Sequence, residues 1–148
     1  MNLPRPFPEY LRDGIIRKTS PDNSRSSFLR EESQNSYNGL IERIDKMGIN
    51  DKNSNSIIKD GYDIIMEMIR AKLYKDGYSS SGSYSHEAEV SYLKVLNFND
   101  SDVSFLNDLR YFRNSITYYG KKLDEEYARL VVSFTKRIFP ILRNILDK

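Results

Sequence analysis

A helical repeat of apolar side chains is clearest at residues 57–73, which read IIKDGYDIIMEMIRAKL. The side chains that mark one face of this repeat are Ile57, Ile58, Tyr62, Ile65, Met68, Ile69 and Leu73. Most of them follow one another at intervals of three or four residues, which matches the 3.6-residue turn of an α-helix. No proline occurs between Asp22 and Phe139, and this absence favours long helices.

Similar repeats extend on both sides of this stretch and are separated by polar or glycine-containing segments. They cover residues 22–47, 85–96, 101–119 and 124–146. Ser20, followed by Pro21, is predicted to cap the first long helix, and Ser85 the third. Glycines 48, 77 and 120 stand where repeats stop, as C-terminal caps do. Pro140 is expected to kink the last helix.

No segment alternates polar and apolar residues as a half-buried strand would. The sequence therefore predicts an all-α protein, an antiparallel up-and-down four-helix bundle with short extra helices. Residues 1–19 are predicted to form a proline-rich arm followed by a short amphipathic helix over residues 9–17. Residues 20–148 are predicted to form the bundle.

Composition excludes several classes of site. The 148 residues include no cysteine and one histidine, so thiolate chemistry, disulfides and multi-histidine metal sites are excluded. We therefore expect no metal and no cofactor. The 23 lysines and arginines nearly balance the 21 acidic residues, so nucleic-acid binding would need local clustering of charge. No apolar run is long enough to span a membrane, and the N-terminus lacks the pattern of a signal peptide, which predicts a cytoplasmic protein.

One motif near the end of the predicted fourth helical repeat carries chemical information. Residues 113–120 read RNSITYYG and precede a long final helix. With residues 14–22 (GIIRKTSPD) and 85–88 (SHEA), this region resembles the HEPN family of small four-helix bundles. The resemblance covers about residues 20–146. Its motif is an arginine, often followed by a polar residue, and a histidine that is separated from the arginine by four to six residues.

The resemblance implies a homodimer whose motif helices face each other across a cleft. It also implies either a metal-independent endoribonuclease or a non-catalytic module that binds RNA or a nucleotide. Some family members are instead paired with a minimal nucleotidyltransferase in toxin–antitoxin loci. Arg113, Asn114 and Tyr118 would be the catalytic residues of an active enzyme. The residues expected to bind RNA or phosphate are Arg110, Arg113, Asn114, Lys121 and Lys122.

This sequence has Tyr118 where the shortest family spacing places the histidine. A general base works best with a pKa near the ambient pH, which histidine meets at about 6.5. A tyrosine with a pKa of about 10 is deprotonated in only about one molecule in a thousand at pH 7. We therefore predict a catalytically degenerate module. His86 is the only imidazole, and its place in the first turn of another helix predicts a surface or loop-anchoring role.

Other interpretations of these residues remain open. Tyr118 and Tyr119 are the candidates for nucleotide modification in a toxin–antitoxin pair, which the resemblance implies. Tyr119 continues the stripe of Phe112 and Ile116, which predicts that it packs on the core. The two alternative functions are an active endoribonuclease that uses Arg113 and Tyr118, and a structural protein-interaction domain.

Overall fold

The computed structural model describes residues 1–148 and contains six helices and two short strands. We number them in chain order: α1 (Phe7–Arg12), β1 (Ile16–Lys18), α2 (Asn23–Met47), α3 (Ser54–Asp76), β2 (Tyr78–Ser80), α4 (Ser85–Val95), α5 (Asp100–Tyr119) and α6 (Glu125–Leu146). The predicted all-helical class is therefore confirmed. No helix is both long and apolar enough to cross a membrane.

Helix α3, which contains the repeat at residues 57–73, is the centre of the fold. It packs along α2 and α6 and also contacts α4 and α5. Twelve of its 23 residues are buried, because neighbours cover it on several sides. Gly61 permits the closest of these contacts, since a Cβ atom at this position would lie 2.7 Å from Val131 Cγ1. The core is a single cluster of 31 buried apolar residues.

The expectation that the chain has no strands is wrong. Strands β1 and β2 form an antiparallel pair in which Arg17 is opposite Ser79. Each strand has only three residues, and their pairing joins segments that are far apart in the chain. A local pattern cannot reveal such a pair, because two or three residues do not establish an alternation. The short helix is also displaced: α1 covers Phe7–Arg12 rather than residues 9–17.

The residue that caps the first long helix is not the one predicted from the sequence. Asp22, not Ser20, is the N-cap, and its side chain accepts a hydrogen bond from Arg25 N at 2.9 Å. The preceding segment is held against the end of α3, because Thr19 N donates to Gly77 O and Asp22 N donates to Tyr74 O. These bonds keep residues 19–22 outside the helix. Ser85 is likewise the first residue of α4 rather than its cap.

The glycines that end three helices, and the start of the last helix, lie where the sequence predicted them. Gly48, Gly77 and Gly120 follow α2, α3 and α5, all with positive φ. Asp124 caps α6 by accepting a hydrogen bond from Tyr127 N. Helix α6 is continuous through Pro140, and the kink expected there stays a prediction.

The N-terminal arm packs against the helices of its own chain. Asn2 N donates to Ser104 Oγ at 2.9 Å, and the Asn2 amide donates to Asp108 at 3.0 Å. Further along, Phe7 and Tyr10 are buried in the common core. The division of the chain into an arm of residues 1–19 and a bundle of residues 20–148 stays a prediction.

Candidate functional site

Arg113 lies on the side of α5 that faces α3. Its guanidinium Nη2 is 3.6 Å from Asp63 Oδ1, and its Cζ lies 5.9 Å from the centre of the Tyr62 ring. Only 22% of the side chain is exposed, and the Nε atom is buried without a hydrogen-bond partner. The side chain is thus fixed in direction, while its hydrogen-bonding capacity is largely unused.

Asp63 is the acidic neighbour of Arg113 and remains about half exposed. Partial burial raises the pKa of its carboxyl group, and the nearby Arg113 charge opposes this shift. Asp63 also lines a groove of about 590 Å³ between α2 and α3, together with Asp60 and Glu67. Burial raises the pKa of Glu67 as well. This groove therefore holds carboxylates whose charge is only partly compensated.

Tyr62 lies beneath this pair and is almost fully buried, with 1% of its surface exposed. Its hydroxyl has no hydrogen-bond partner. Burial raises the pKa of this hydroxyl, and so does the charge of Glu89, while Arg110 and Arg113 lower it. Tyr62 therefore stays a neutral phenol, and its ring gives the Arg113 guanidinium an uncharged surface.

Glu89 belongs to a polar network that joins α3, α4 and β2 behind the site. Arg70 donates two hydrogen bonds to its carboxylate, at 2.9 and 3.0 Å, and the Ser80 hydroxyl donates a third at 2.8 Å. Glu89 is 1% exposed. Because all of these polar groups are paired, the network fixes the position of α4 relative to α3.

His86 is exposed, as the surface interpretation predicted, but it lies close to the candidate site. It lines an open pocket of about 320 Å³ with Tyr62, Asp63 and Arg70. Its charge, like that of Arg113, acts to lower the pKa of Asp63. The proximity was missed because it results from α4 packing on α3. No local signal in the sequence connects His86 with Asp63.

Arg110 and Asn114 flank Arg113 on α5 and are both half-buried. Arg110 Nε donates to Asn107 Oδ1 at 3.1 Å, so part of this guanidinium is committed within its own helix. The two arginines are three residues apart and both act on the Tyr62 hydroxyl. They are the part of the predicted phosphate site that the structure brings together.

Tyr118 and Tyr119 are not part of this arrangement. Their exposed fractions are 70% and 84%, so the prediction that Tyr119 packs on the core is wrong. Ile116 is buried and the Phe112 ring packs on Tyr127 at 5.1 Å, but the stripe ends there. The periodicity of one helix does not show where its neighbours stop covering it, and the last turn of α5 is uncovered.

Lys121 and Lys122 lie beyond the end of α5 and are exposed. Lys121 Nζ is 5.7 Å from the centre of the Phe112 ring, and Lys122 Nζ donates to the backbone oxygen of Asp51. The predicted basic residues therefore occupy two places. Arg113 faces α3 with Arg110 one turn before it on α5, and the lysines are at the end of the bundle near Asn55, which donates to Lys121 O.

No group of three histidine, cysteine or acidic side chains is arranged to hold a metal ion. Comparison with protein-family models, curated proteins and solved structures finds no match to this chain.

Proposed function

We propose that this chain is a HEPN-like helical module that binds the phosphate of an RNA or a nucleotide at Arg113 and does not cleave it. One observation carries the proposal: the Arg113 side chain lies against α3 with its Nε buried, its nearest carboxylate is 3.6 Å away, and its two terminal nitrogens, which are not buried, donate no hydrogen bond within the chain. A guanidinium with unused donors suits a phosphate, whose oxygens accept two parallel hydrogen bonds.

The absence of cleavage is proposed from the position of Tyr118. Tyr118 is the fifth residue after Arg113, which places the two side chains about 140° apart around α5. Arg113 faces α3, whereas Tyr118 is exposed to solvent. In the HEPN motif, the histidine that accepts the proton works beside the arginine. Within one chain, the Tyr118 hydroxyl would thus lie on a different side of α5 from a phosphate held by Arg113 and could not take that role.

The test measures binding and cleavage of a labelled single-stranded RNA in EDTA. We expect wild type to bind without cleaving. Replacing Arg113 by alanine removes a charge-assisted contact and should weaken binding about tenfold or more, and Arg113→Lys should restore part of it. Arg12→Ala is the control, because Arg12 is an exposed arginine on α1. Cleavage by wild type that disappears in Arg113→Ala would contradict the proposal.

The resemblance also suggests two partners, which we include in the proposal. A homodimer would bring two Arg113 sites together, and light scattering at high micromolar concentration tests it. A minimal nucleotidyltransferase in a toxin–antitoxin pair would modify Tyr118 or Tyr119, and both side chains are exposed enough to be reached. Mass spectrometry of natively expressed protein would reveal such an adduct.

A second function is a metal-independent endoribonuclease, and the position of His86 favours it. His86 lines a pocket with Asp63, the carboxylate nearest Arg113, so the only imidazole lies near the proposed phosphate site. Cleavage in EDTA that His86→Gln abolishes, with RNA binding retained, would establish this function instead. If wild type binds no RNA or nucleotide even at low salt, only the structural interaction role is left.

A further inference from the structure

Three tyrosines and two lysines form an exposed surface at the C-terminal part of α5. Tyr111, Tyr118 and Tyr119 are 64%, 70% and 84% exposed, and Lys121 and Lys122 follow directly. We name these five residues the tyrosine ridge. We propose that the tyrosine ridge binds single-stranded RNA by stacking bases on its rings, an inference that rests on the proposed function and names a second surface for the same ligand.

The spacing of the rings suits a nucleic-acid strand. Tyr111 and Tyr118 are seven residues apart, so they lie on the same side of α5 about 10 Å from each other along the helix. Between them on this side are Asn114 and Ser115, which are partly exposed. Exposed aromatic rings combined with nearby positive charge are typical of surfaces that stack successive bases without sequence preference.

The charge of the ridge suits a phosphate backbone. Gly120 adopts the left-handed conformation with φ of 65° and ends the helix one residue after the last tyrosine, and Lys121 and Lys122 come directly after it. Neither ammonium group pairs with a carboxylate, because Lys121 lies near the Phe112 ring and Lys122 donates to a backbone oxygen. Two cations without an ion-pair partner within 4 Å, beside exposed rings, attract a polyanion.

The same features make a second copy of the chain a poorer occupant. A stable self-association surface has an apolar centre, whereas this side of α5 carries polar residues between its rings and no exposed aliphatic side chain. In a twofold pair across the ridge, the lysine pairs of the two copies would also approach each other. Charge complementarity therefore favours single-stranded RNA.

The ridge and Arg113 lie on different sides of α5. Arg113 follows Tyr111 by two residues, which turns it about 160° around the helix, towards α3. A mononucleotide at Arg113 would not reach the ridge rings, whereas an oligonucleotide of several residues could extend to them. The two sites can therefore be tested with ligands of different length.

The experiment compares uridine 5′-monophosphate with a fluorescein-labelled U12 oligonucleotide, by calorimetry and fluorescence anisotropy at fixed salt. We expect Tyr111→Ala and Tyr118→Ala each to weaken U12 binding about tenfold, and Tyr118→Phe to retain it because the ring remains. Binding of the mononucleotide should be unchanged in these variants and lost in Arg113→Ala. Phe28→Ala is the control, since Phe28 is 62% exposed but lies on α2.

Each outcome separates the inference from the proposed function. Unchanged U12 affinity in the Tyr111→Ala/Tyr118→Ala double variant, with mononucleotide binding that still depends on Arg113, overturns the ridge alone. Absence of binding to either ligand by wild type overturns both. The double variant could also turn a dimer into a monomer while its U12 affinity per protomer stays unchanged. That result would show that the ridge binds a second copy of the chain, and it also overturns the inference.

Discussion

The Arg113 guanidinium and the Asp63 carboxylate face each other between α5 and α3, with Nη2 and Oδ1 3.6 Å apart. This distance allows electrostatic attraction but is too long for a hydrogen bond. Asp63 therefore helps to orient Arg113 without occupying its donors. The same carboxylate would repel a phosphate that approaches Arg113, so Asp63 would both position the arginine and limit its affinity for an anion.

Asp63→Asn should therefore tighten binding of the mononucleotide several-fold, because it removes a negative charge beside the phosphate and keeps the shape of the side chain. The gain should shrink as salt is raised. Calorimetry at two salt concentrations measures it. Asp45→Asn is the control, since Asp45 is exposed on α2. Weaker binding in Asp63→Asn would show that orientation of Arg113 matters more than repulsion.

Asp63 also predicts a pH dependence of stability. Its pKa is raised in the folded protein, mainly by burial, so the ionised carboxylate is less favourable in the fold than in the unfolded chain. This cost is present above the folded pKa and disappears as the pH falls below the unfolded value of about 3.9. Asp63→Asn should thus have a higher Tm than wild type at pH 7, and the difference should vanish near pH 3. Thermal unfolding followed by circular dichroism gives the Tm difference at each pH. An equal difference at pH 7 and pH 3 would show that ionisation of Asp63 is not its cause.

Gly61 and Gly39 are predicted to respond in opposite ways to alanine. A Cβ atom at Gly61 would meet Val131 Cγ1 at 2.7 Å, whereas one at Gly39 would meet nothing within 4 Å. Gly61→Ala should lower the free energy of unfolding by about 1 to 3 kcal/mol. Gly39→Ala should raise it by about 0.5 to 1 kcal/mol, because it restricts the unfolded chain and favours the helix. Urea denaturation measures both. Recovery of stability in Gly61→Ala when Val131 is also replaced by alanine would identify the α3–α6 contact as the cause.

Glu89 should be among the most sensitive polar positions in the fold. Its carboxylate accepts two hydrogen bonds from Arg70 and one from Ser80 while almost completely buried. Glu89→Ala leaves the Arg70 charge uncompensated and should cost about 3 kcal/mol of unfolding free energy. Lys46→Ala, which breaks an exposed pair with Glu42, should cost less than about 1 kcal/mol. Equal losses in the two variants would mean that the buried network contributes no more than a surface pair.

The long helices could be predicted from the sequence because their signals are local. The apolar repeat at residues 57–73 and the glycines at 48, 77 and 120 act within one or two turns of chain. The two short strands and the cap at Asp22 could not be predicted in this way. Both depend on contacts of residues 15–22 with the end of α3 and with the segment that follows it, which only the folded chain brings together.

The candidate site divides in the same way. Arg113 could be selected from its motif, and its partner Asp63 could not, because the two lie on different helices. His86 looked unrelated to Arg113 in the sequence, and the packing of α4 on α3 brings it to the same carboxylate. Tyr119 was assigned to the core from its spacing, although no other helix covers the end of α5.

The amino-acid sequence alone determined that the chain is helical, where its main helices end and which arginine merits attention. Hydrophobic periodicity and backbone capping are short-range effects, so they can be recognised without knowledge of the fold. Only the tertiary structure decided which charges meet, which tyrosines face solvent and which glycine must remain a glycine. Those properties depend on the distances between helices, and such distances are fixed by side-chain packing over the whole molecule.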